Sequence, residues 1–495
     1  MVGKTHKKDS FLKDSSIYTS SAVISTAIAF LTLPVFTRYL SPNDYAIISL
    51  FAMFGNISSY LLSFGIQLAS YRYYFEYKDN IQAYKLLNSS NLYFVLFIYF
   101  LGGVIIIFLA EWLSSFLFDE KLTVRLIRWS FLAGCLTYLF DYFTSILTAQ
   151  KRATTFSIIT ILKSFLSVIF SLYFIFKYSL TYLALIYGTI LSLLIMNGCL
   201  VFLSLNVLVF RFSFSSLKKS LLFSYPTTPR QIIGLVHGSF DKIMLNKFTG
   251  LSSLGYYVFG AKFANILKIM TESMAKVWMP FFMERAHEEK ENAKKSIIKR
   301  FYQMTFFFAI CGLGIIYFSE EMIKLLTTKE FYPSMYLVPI FVYNYLFGLT
   351  GFISSNQLMY AEKLIYRLPT SIIAVFTNIF LNILLIPKYG AIGAVTASVI
   401  TALITCIILL YFGQRSYPLP VGKWKLAGLF IIIMAFTIPI YPIMMLDINW
   451  IYKITIKVII IVIFIMTGIK IGYVTQDDLT KLNFFRNKKN IITLN

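Results

Sequence analysis

The chain has 495 residues, of which 58% are hydrophobic and 14% charged, against about 45–50% and about 25% in an average soluble domain. Its mean hydropathy of +0.72 excludes a disordered chain, a disulfide scaffold and an ordinary soluble enzyme, and the even spread of apolar residues excludes a single anchor helix. The net charge of +23 would suggest nucleic acid in a soluble protein; here it reads as basic residues in short cytoplasmic loops that orient an all-α polytopic membrane protein.

A spanning helix needs about 20 mostly apolar residues. About fourteen such stretches follow one another: 15–38, 45–69, 91–113, 126–149, 155–176, 180–206, 221–246, 252–279, 301–326, 334–360, 366–386, 391–412, 425–446 and 452–474, taken as spans 1 to 14. Lys4, Lys7, Lys8 and Lys13 precede span 1, and Ala27-Ile28-Ala29 loosely resembles a signal-peptide cleavage site. The apolar run is too long for a signal and continues through Pro34 to Arg38, so it is read as the first span. The largest loop, about Pro280 to Arg300, is predicted as a solvated amphipathic helix. Cys135, Cys199, Cys311 and Cys406 lie far apart inside apolar segments and read as small core residues. With the N-terminus in the cytoplasm, about 28 basic residues fall inside and about 11 outside, so residues 1–14 and the tail 475–495 are both expected to be cytoplasmic.

A shift of 209 residues lays Thr37–Ile57 over Asn246–Ile266, where Ala52, Phe54, Asn56 and Ile57 meet identical residues and Arg38 meets Lys247. Ala149-Gln150-Lys151 likewise matches Ala361-Glu362-Lys363, and Lys177-Tyr178 matches Lys388-Tyr389. Two copies of a six-helix unit are therefore expected, an N-lobe at 15–206 and a C-lobe at 221–413. They are joined by a cytoplasmic linker at 207–220 and followed by two further spans at 424–474. Parallel repeats of this kind are a transporter architecture, with the substrate site between the halves.

Ionised side chains are costly in a membrane, at about 2.5–3.5 kcal/mol each when they face lipid at a helix centre. Spans 7 and 8 carry Arg230, His237, Asp241, Lys242, Lys262, Lys268, Glu272 and Lys276, which should face protein or water. At about 100° per residue, Lys262, Asn265, Lys268, Glu272 and Lys276 fall within an arc of about 120°, and Arg230, His237 and Asp241 within about 40°. The repeat maps the span 8 stripe onto Met53, Asn56, Ser59, Ser63 and Gln67, and maps Arg230 and Asp241 onto Ser21 and Thr32. Both copies thus present polar faces in one register, as a central hydrophilic cavity requires. The same residues also fit a structural ion-pair cluster, because Glu272 lies four residues from both Lys268 and Lys276. Three lysines against one glutamate favour an anion-binding cavity. His237 alone also fits a satisfied core histidine, and Lys242 and Lys262 are placed to snorkel to the outer interface. Lys163 and Asp141 are single polar residues of spans 5 and 4 that would line the same cavity.

Enzymatic constellations are missing. His287-Glu288 has no second histidine at metalloprotease spacing, three histidines in all argue against a zinc site, and there is no Walker loop. No cofactor or metal is expected.

Three motifs carry a family resemblance: Leu33–Phe51 (LPVFTRYLSPNDYAIISLF), Ser239–Tyr257 (SFDKIMLNKFTGLSSLGYY) and Asn378–Ser398 (NIFLNILLIPKYGAIGAVTAS). In order and position they resemble the polysaccharide-export flippases, with Ala46 departing from the usual glycine. The resemblance covers spans 1–12. It implies a fold like that of the multidrug exporters and the lipid II flippase, the other members of that superfamily. It further implies alternating access that flips undecaprenyl-pyrophosphate-linked oligosaccharide in O-antigen or capsule synthesis across the bacterial cytoplasmic membrane. On that expectation Arg230, Lys268 and Lys276, with Lys262 beside them, face the phosphates. Asn56, Ser59, Gln67 and Asn265 bond sugar hydroxyls, and Asp241, Glu272 or His237 carries a coupling cation, H+ or Na+. Pro34, Pro226 and Pro229 are placed to bend spans 1 and 7. Membrane lipids and other polysaccharide-assembly proteins are the expected partners, and nucleic acid is not. Two alternatives stay open: a cation-coupled drug exporter, which needs an acidic cavity, and a glycan polymerase or ligase.

Overall fold

The computed structural model describes residues 17–474 except 19, 78, 119–123, 226–227 and 289–290, and omits the side chains of residues 116–118, 229, 230, 232, 236, 237 and 423. The two expected cytoplasmic termini, 1–14 and 475–495, and Pro226 therefore lie outside the described residues. Among the described residues ten helices are long and apolar enough to cross a membrane, or eleven if the bent pair Ser20–Leu31 and Leu33–Tyr39 is one span. That pair bends by 41°, with Pro34 in the first turn of its second piece, where the missing N–H and the ring interrupt the helical ladder. The Arg367–Ser416 helix would be about 75 Å long if straight, over twice the roughly 30 Å hydrocarbon core. It breaks at Gly390, whose φ of 55° and ψ of −131° no helix contains, leaving spans 11 and 12 of membrane length. Gly250, at φ 80°, breaks the Phe240–His287 helix in the same way, and span 8 begins there. The stretch Pro280–Arg300 is not a separate helix. Span 8 runs on to His287 and span 9 begins at Glu291, so their charged ends continue the spans beyond the apolar region.

Three expected spans are more broken than a hydropathy window shows. Span 2 is the helix Pro42–Ser63, a turn at Phe64 and Gly65, both at positive φ (52° and 63°), and a second helix Ile66–Glu76. Span 7 is Thr228–His237, a turn at Gly238-Ser239, and a new helix from Phe240. Span 10 is Val338–Gly348 followed by Thr350–Tyr360.

The packing forms two compact units. The first comprises Met1–Val258, Leu326–Glu330 and Ile386–Gly390. Its centre is span 4, Val124–Ala149, which packs against spans 2, 3, 5 and 6. Two thirds of its apolar window is buried, against 17% for spans 3 and 5, and its sequence is accordingly rich in small and hydroxyl side chains. Spans 2 and 4 cross at Gly55 and Gly134. A Cβ on Gly134 would overlap the Gly55 backbone, and one on Gly55 would overlap the Ser130 carbonyl, which is the small-residue contact that lets membrane helices approach closely. Gly134→Val is expected to cost about 3 kcal/mol or more, because backbone cannot yield as a side chain does. Loss of the monodisperse peak in detergent would show it; a variant that melts like the parent would refute it.

Span 2 starts on a capping box. Ser41 Oγ accepts the Asp44 N–H at 3.3 Å, and the Ser41 N–H donates to Asp44 Oδ2 at 2.7 Å, with Pro42 in the first turn. The same end meets its repeat partner. Asn43 and Ser252, which the 209-residue shift makes equivalent, bond side chain to side chain at 2.8 Å. Gly255, the equivalent of Ala46, lies so close to Pro42 that a Cβ would overlap its carbonyl. The helix Phe214–Ser224, which runs from the linker into the first residues expected for span 7, docks on the end of span 2 through Phe223 against Tyr73 and Arg72. Lys219 Nζ donates to Glu76 Oε1 at 2.6 Å and to the Tyr77 hydroxyl at 2.8 Å, and these bonds raise the lysine above its usual range.

The second unit comprises Phe259–Leu325, Phe331–Leu385 and Ala391–Asn495. Span 9, Glu291–Leu326, is its most buried apolar helix. Span 14, Trp450–Ile471, lies on span 9 through Phe306, stacked on Phe464 at 5.1 Å, with Gly468 against the same ring. At the other end of span 9 an ion cluster joins the two helices. Lys457, fully buried, bonds Glu320 at 3.1 Å and Glu321 at 2.6 Å, and Glu320 also takes Lys453 at 3.3 Å and Lys324 at 2.7 Å.

Candidate translocation site

Span 8 carries the charged stripe in the second unit. Lys268 and Glu272 are open, their side chains 51% and 64% exposed, and they pair loosely at 3.8 Å. Lys276, two turns beyond Lys268, is exposed as well. Lys262 is half-buried with its ammonium 5.7 Å above the Phe259 ring, and Asn265 Oδ1 accepts the Tyr345 hydroxyl from span 10. An exposed pair within one helix is worth about 0.3–0.5 kcal/mol. The Lys268–Glu272 contact therefore does not hold helices together, and the stripe keeps three ammonium groups against one carboxylate. Such a row can receive an anion along about 20 Å of helix, at 1.5 Å per residue.

In the first unit the sequence-selected residues Ser59, Gln67 and Asp141 come together around three tyrosines. Tyr60 donates to Asp141 Oδ2 at 2.9 Å, Tyr99 donates to the Ser59 carbonyl at 3.2 Å, and the Tyr138 hydroxyl accepts the Gln67 N–H at 3.2 Å. Tyr138 stands at the centre, with ring centroids 5.5 Å from Tyr60 and 5.9 Å from Tyr99. Gln67 Oε1 is buried without a hydrogen-bond partner in the cluster. Ser59 is buried and turns its hydroxyl back to the Asn56 carbonyl at 3.1 Å, while Asn56 is half-buried. The break at Phe64-Gly65 places Gln67 on a different helix from Asn56 and Ser59. Lys163 lies with its ammonium 4.9 Å over the Phe140 ring. The tyrosines were missed because each hydroxyl bonds a residue far away in sequence; the Tyr138–Asp141 spacing on one face of span 4 was the available signal.

Asp241 is buried at the start of the helix that follows the span 7 turn. Its carboxylate accepts the Tyr257 hydroxyl and, at 2.8 Å, the Lys242 N–H. Gly238-Ser239 interrupt the helix, so the common arc expected for Arg230, His237 and Asp241 does not run along one continuous helix. The side chains of Arg230 and His237 lie outside the described residues. Among the described residues no group of three His, Cys, Asp or Glu side chains is placed to hold a metal ion.

Apolar helices, several of them broken, with an exposed charged row along one of them, define a multi-spanning membrane protein. Over 92% of this chain and 98% of that one, the fold matches the lipid II flippase MurJ in its inward closed conformation, with a TM-score of 0.70 and 17% identity. Over 81% and 97% it matches an inward-facing multidrug resistance MATE family transporter of the MOP superfamily, with a TM-score of 0.63 and 12% identity. The chain belongs to the polysaccharide biosynthesis protein family, whose model matches residues 35–336, and its fold is the one those flippase and transporter structures share. It is 23% identical over 201 residues to the capsular polysaccharide biosynthesis protein CapF of Staphylococcus aureus, a match spanning 40% of this chain and about half (51%) of that protein. To a protein of the Lsg locus of Haemophilus influenzae it is 22% identical over 408 residues, 78% of this chain and 95% of that one.

Proposed function

We propose that this protein flips an undecaprenyl-pyrophosphate-linked oligosaccharide repeat unit from the inner to the outer leaflet of a bacterial cytoplasmic membrane, with both termini cytoplasmic. The observation that carries the proposal is the net-cationic row on span 8, with Lys268 and Lys276 exposed and Lys262 half-buried, in a chain of the polysaccharide biosynthesis family. In this mechanism the sugar and pyrophosphate enter a wet cavity by alternating access while the polyprenyl tail stays in lipid. Lys268 and Lys276 neutralise the pyrophosphate as point charges, Lys262 extends the row, and Arg230 adds a bidentate fork. Asn265 and Asn56, both half-buried, would serve sugar hydroxyls, whereas the buried Ser59 hydroxyl is already bonded to the Asn56 carbonyl and Gln67 sits in the tyrosine cluster. Carrying about two negative charges outward down an inside-negative potential gains roughly 4–5 kcal/mol per 100 mV. Asp241, Glu272 or His237 would hold a coupling H+ or Na+, and polysaccharide-assembly proteins would supply and consume the substrate.

The test uses the purified full chain in liposomes loaded with a fluorescent undecaprenyl-pyrophosphate oligosaccharide. Transfer of the probe between leaflets without new glycosidic bonds supports the proposal. New glycosidic bonds would indicate a polymerase or ligase, and transport of cationic drugs in its place would indicate a drug exporter; either result overturns it.

A further inference from the structure

In the second unit, spans 9, 13 and 14 end together at the side that basic-residue counting assigns to the cytoplasm. A cavity of about 510 Å³ there is lined by Lys295, Lys299 and Lys425 with Tyr302, Tyr473 and Gly422, and among the described residues no acidic side chain lines it. Its walls are laced by hydrogen bonds. Tyr302 donates to the Gly422 carbonyl at 3.1 Å, Tyr473 to the Lys425 carbonyl at 2.8 Å, and Lys425 Nζ to the Gly472 carbonyl at 3.1 Å. The Lys425 ammonium also stands 5.1 Å over the Tyr302 ring and 5.4 Å over the Tyr473 ring. The tyrosines are buried and the lysines exposed, so the charge is presented outward from a fixed base.

A second cavity, of about 630 Å³, adjoins it. It is overwhelmingly apolar, lined by Val277, Phe281, Phe307 and Ile465 among others of spans 8, 9 and 14. Phe306 lines this cavity, Tyr473 lines the basic one, and the two rings stack at 6.0 Å, forming a common wall. Two donors on the apolar cavity's lining residues, Trp278 Nε1 and Gln303 Nε2, are buried with no hydrogen-bond partner among the described residues. Buried donors left unpaired are destabilising, so an acceptor is wanted in the apolar cavity.

We propose that these paired cavities bind an anionic glycerophospholipid of the cytoplasmic leaflet, with its phosphate on Lys295, Lys299 and Lys425, its ester carbonyls at Trp278 and Gln303, and an acyl chain in the apolar cavity. Basic groups clustered at that membrane surface attract anionic headgroups. A polyprenyl phosphate offers the phosphate but no ester carbonyl, and a free phosphate leaves the apolar cavity unused. The site is separate from the transported substrate and does not rest on the flipping mechanism.

Native mass spectrometry of the purified full chain tests this, with phosphatidylglycerol, phosphatidylcholine, undecaprenyl phosphate and inorganic phosphate added in separate arms. Phosphatidylglycerol is expected to be retained at least tenfold better than phosphatidylcholine, and K295Q/K299Q/K425Q should lose that preference. Should the triple variant misfold, K295Q/K299Q, which leaves the Lys425 contacts intact, should still weaken retention several-fold. Equal retention of the two phospholipids, or undiminished preference in a folded variant, overturns the proposal. Stronger retention of undecaprenyl phosphate would assign the site to the substrate, and binding of inorganic phosphate alone to a soluble anion; both also overturn it.

Discussion

Replacing Lys268 and Lys276 together by glutamine should abolish translocation while leaving the protein folded. Both side chains lie open on span 8, and among the described residues Lys268 pairs only with Glu272, at a loose 3.8 Å, so little stability is at stake. On the proposed function, what is lost is contact with substrate charge. Hydrogen bonds to charged groups contribute about 1.5–3 kcal/mol each, so losing two corresponds to about a hundredfold to ten-thousandfold in rate, at 1.36 kcal/mol per factor of ten. The K268R/K276R variant keeps the charge and should keep most activity. Initial rates in liposomes, normalised to reconstituted protein, decide the matter. A glutamine double variant that runs within a few-fold of the parent would show that the row does not touch the substrate.

The largest effect on stability is expected from Lys457→Met. Lys457 is fully buried and is the ion-pair partner of Glu321 as well as one of three lysines around Glu320, itself 3% exposed. Removing the lysine leaves Glu321 without its ion pair and Glu320 with less compensation. Breaking a buried pair from one side costs about 3–5 kcal/mol. Lys324→Ala removes a 44% exposed partner of the same Glu320 and should cost less than about 1 kcal/mol. Thermal unfolding in detergent compares the two. Equal shifts would mean that the buried cluster is not what fastens span 14 to span 9.

Much of this architecture could be read in advance because hydropathy reports membrane length directly and a helix repeats every 3.6 residues. The apolar helices, the breaks between spans 7 and 8 and between 11 and 12, and the common face of Lys268, Glu272 and Lys276 follow from those two facts, and the bend at Pro34 from the missing proline N–H. The turns inside spans 2 and 7 do not. Phe64-Gly65 and Gly238-Ser239 sit within apolar stretches, and a window that averages over about 20 residues passes across a two-residue turn. The Glu320–Lys457 cluster escaped for a related reason, since one or two charges barely lower the mean of an apolar span. Their opposite signs, Glu320-Glu321 in span 9 and Lys453 with Lys457 one turn apart in span 14, were the overlooked signal. The tyrosines around Asp141 escaped because an aromatic ring reads as core, whereas its hydroxyl finds a partner only through the tertiary fold. The contact of Asn43 with Ser252 was likewise not announced by the sequence. The repeat shift makes the two positions equivalent, and their hydrogen bond lies within the first unit.

The central claim is that the span 8 row faces water. Cysteines placed singly at 268 and 276, in a chain whose four native cysteines are replaced by alanine or serine, can be challenged in sealed vesicles with a membrane-impermeant maleimide. The account predicts rapid labelling at both positions, slowed by added lipid-linked oligosaccharide. Labelling by a lipid-soluble reagent alone, with no protection by substrate, would place the row against the bilayer and contradict it.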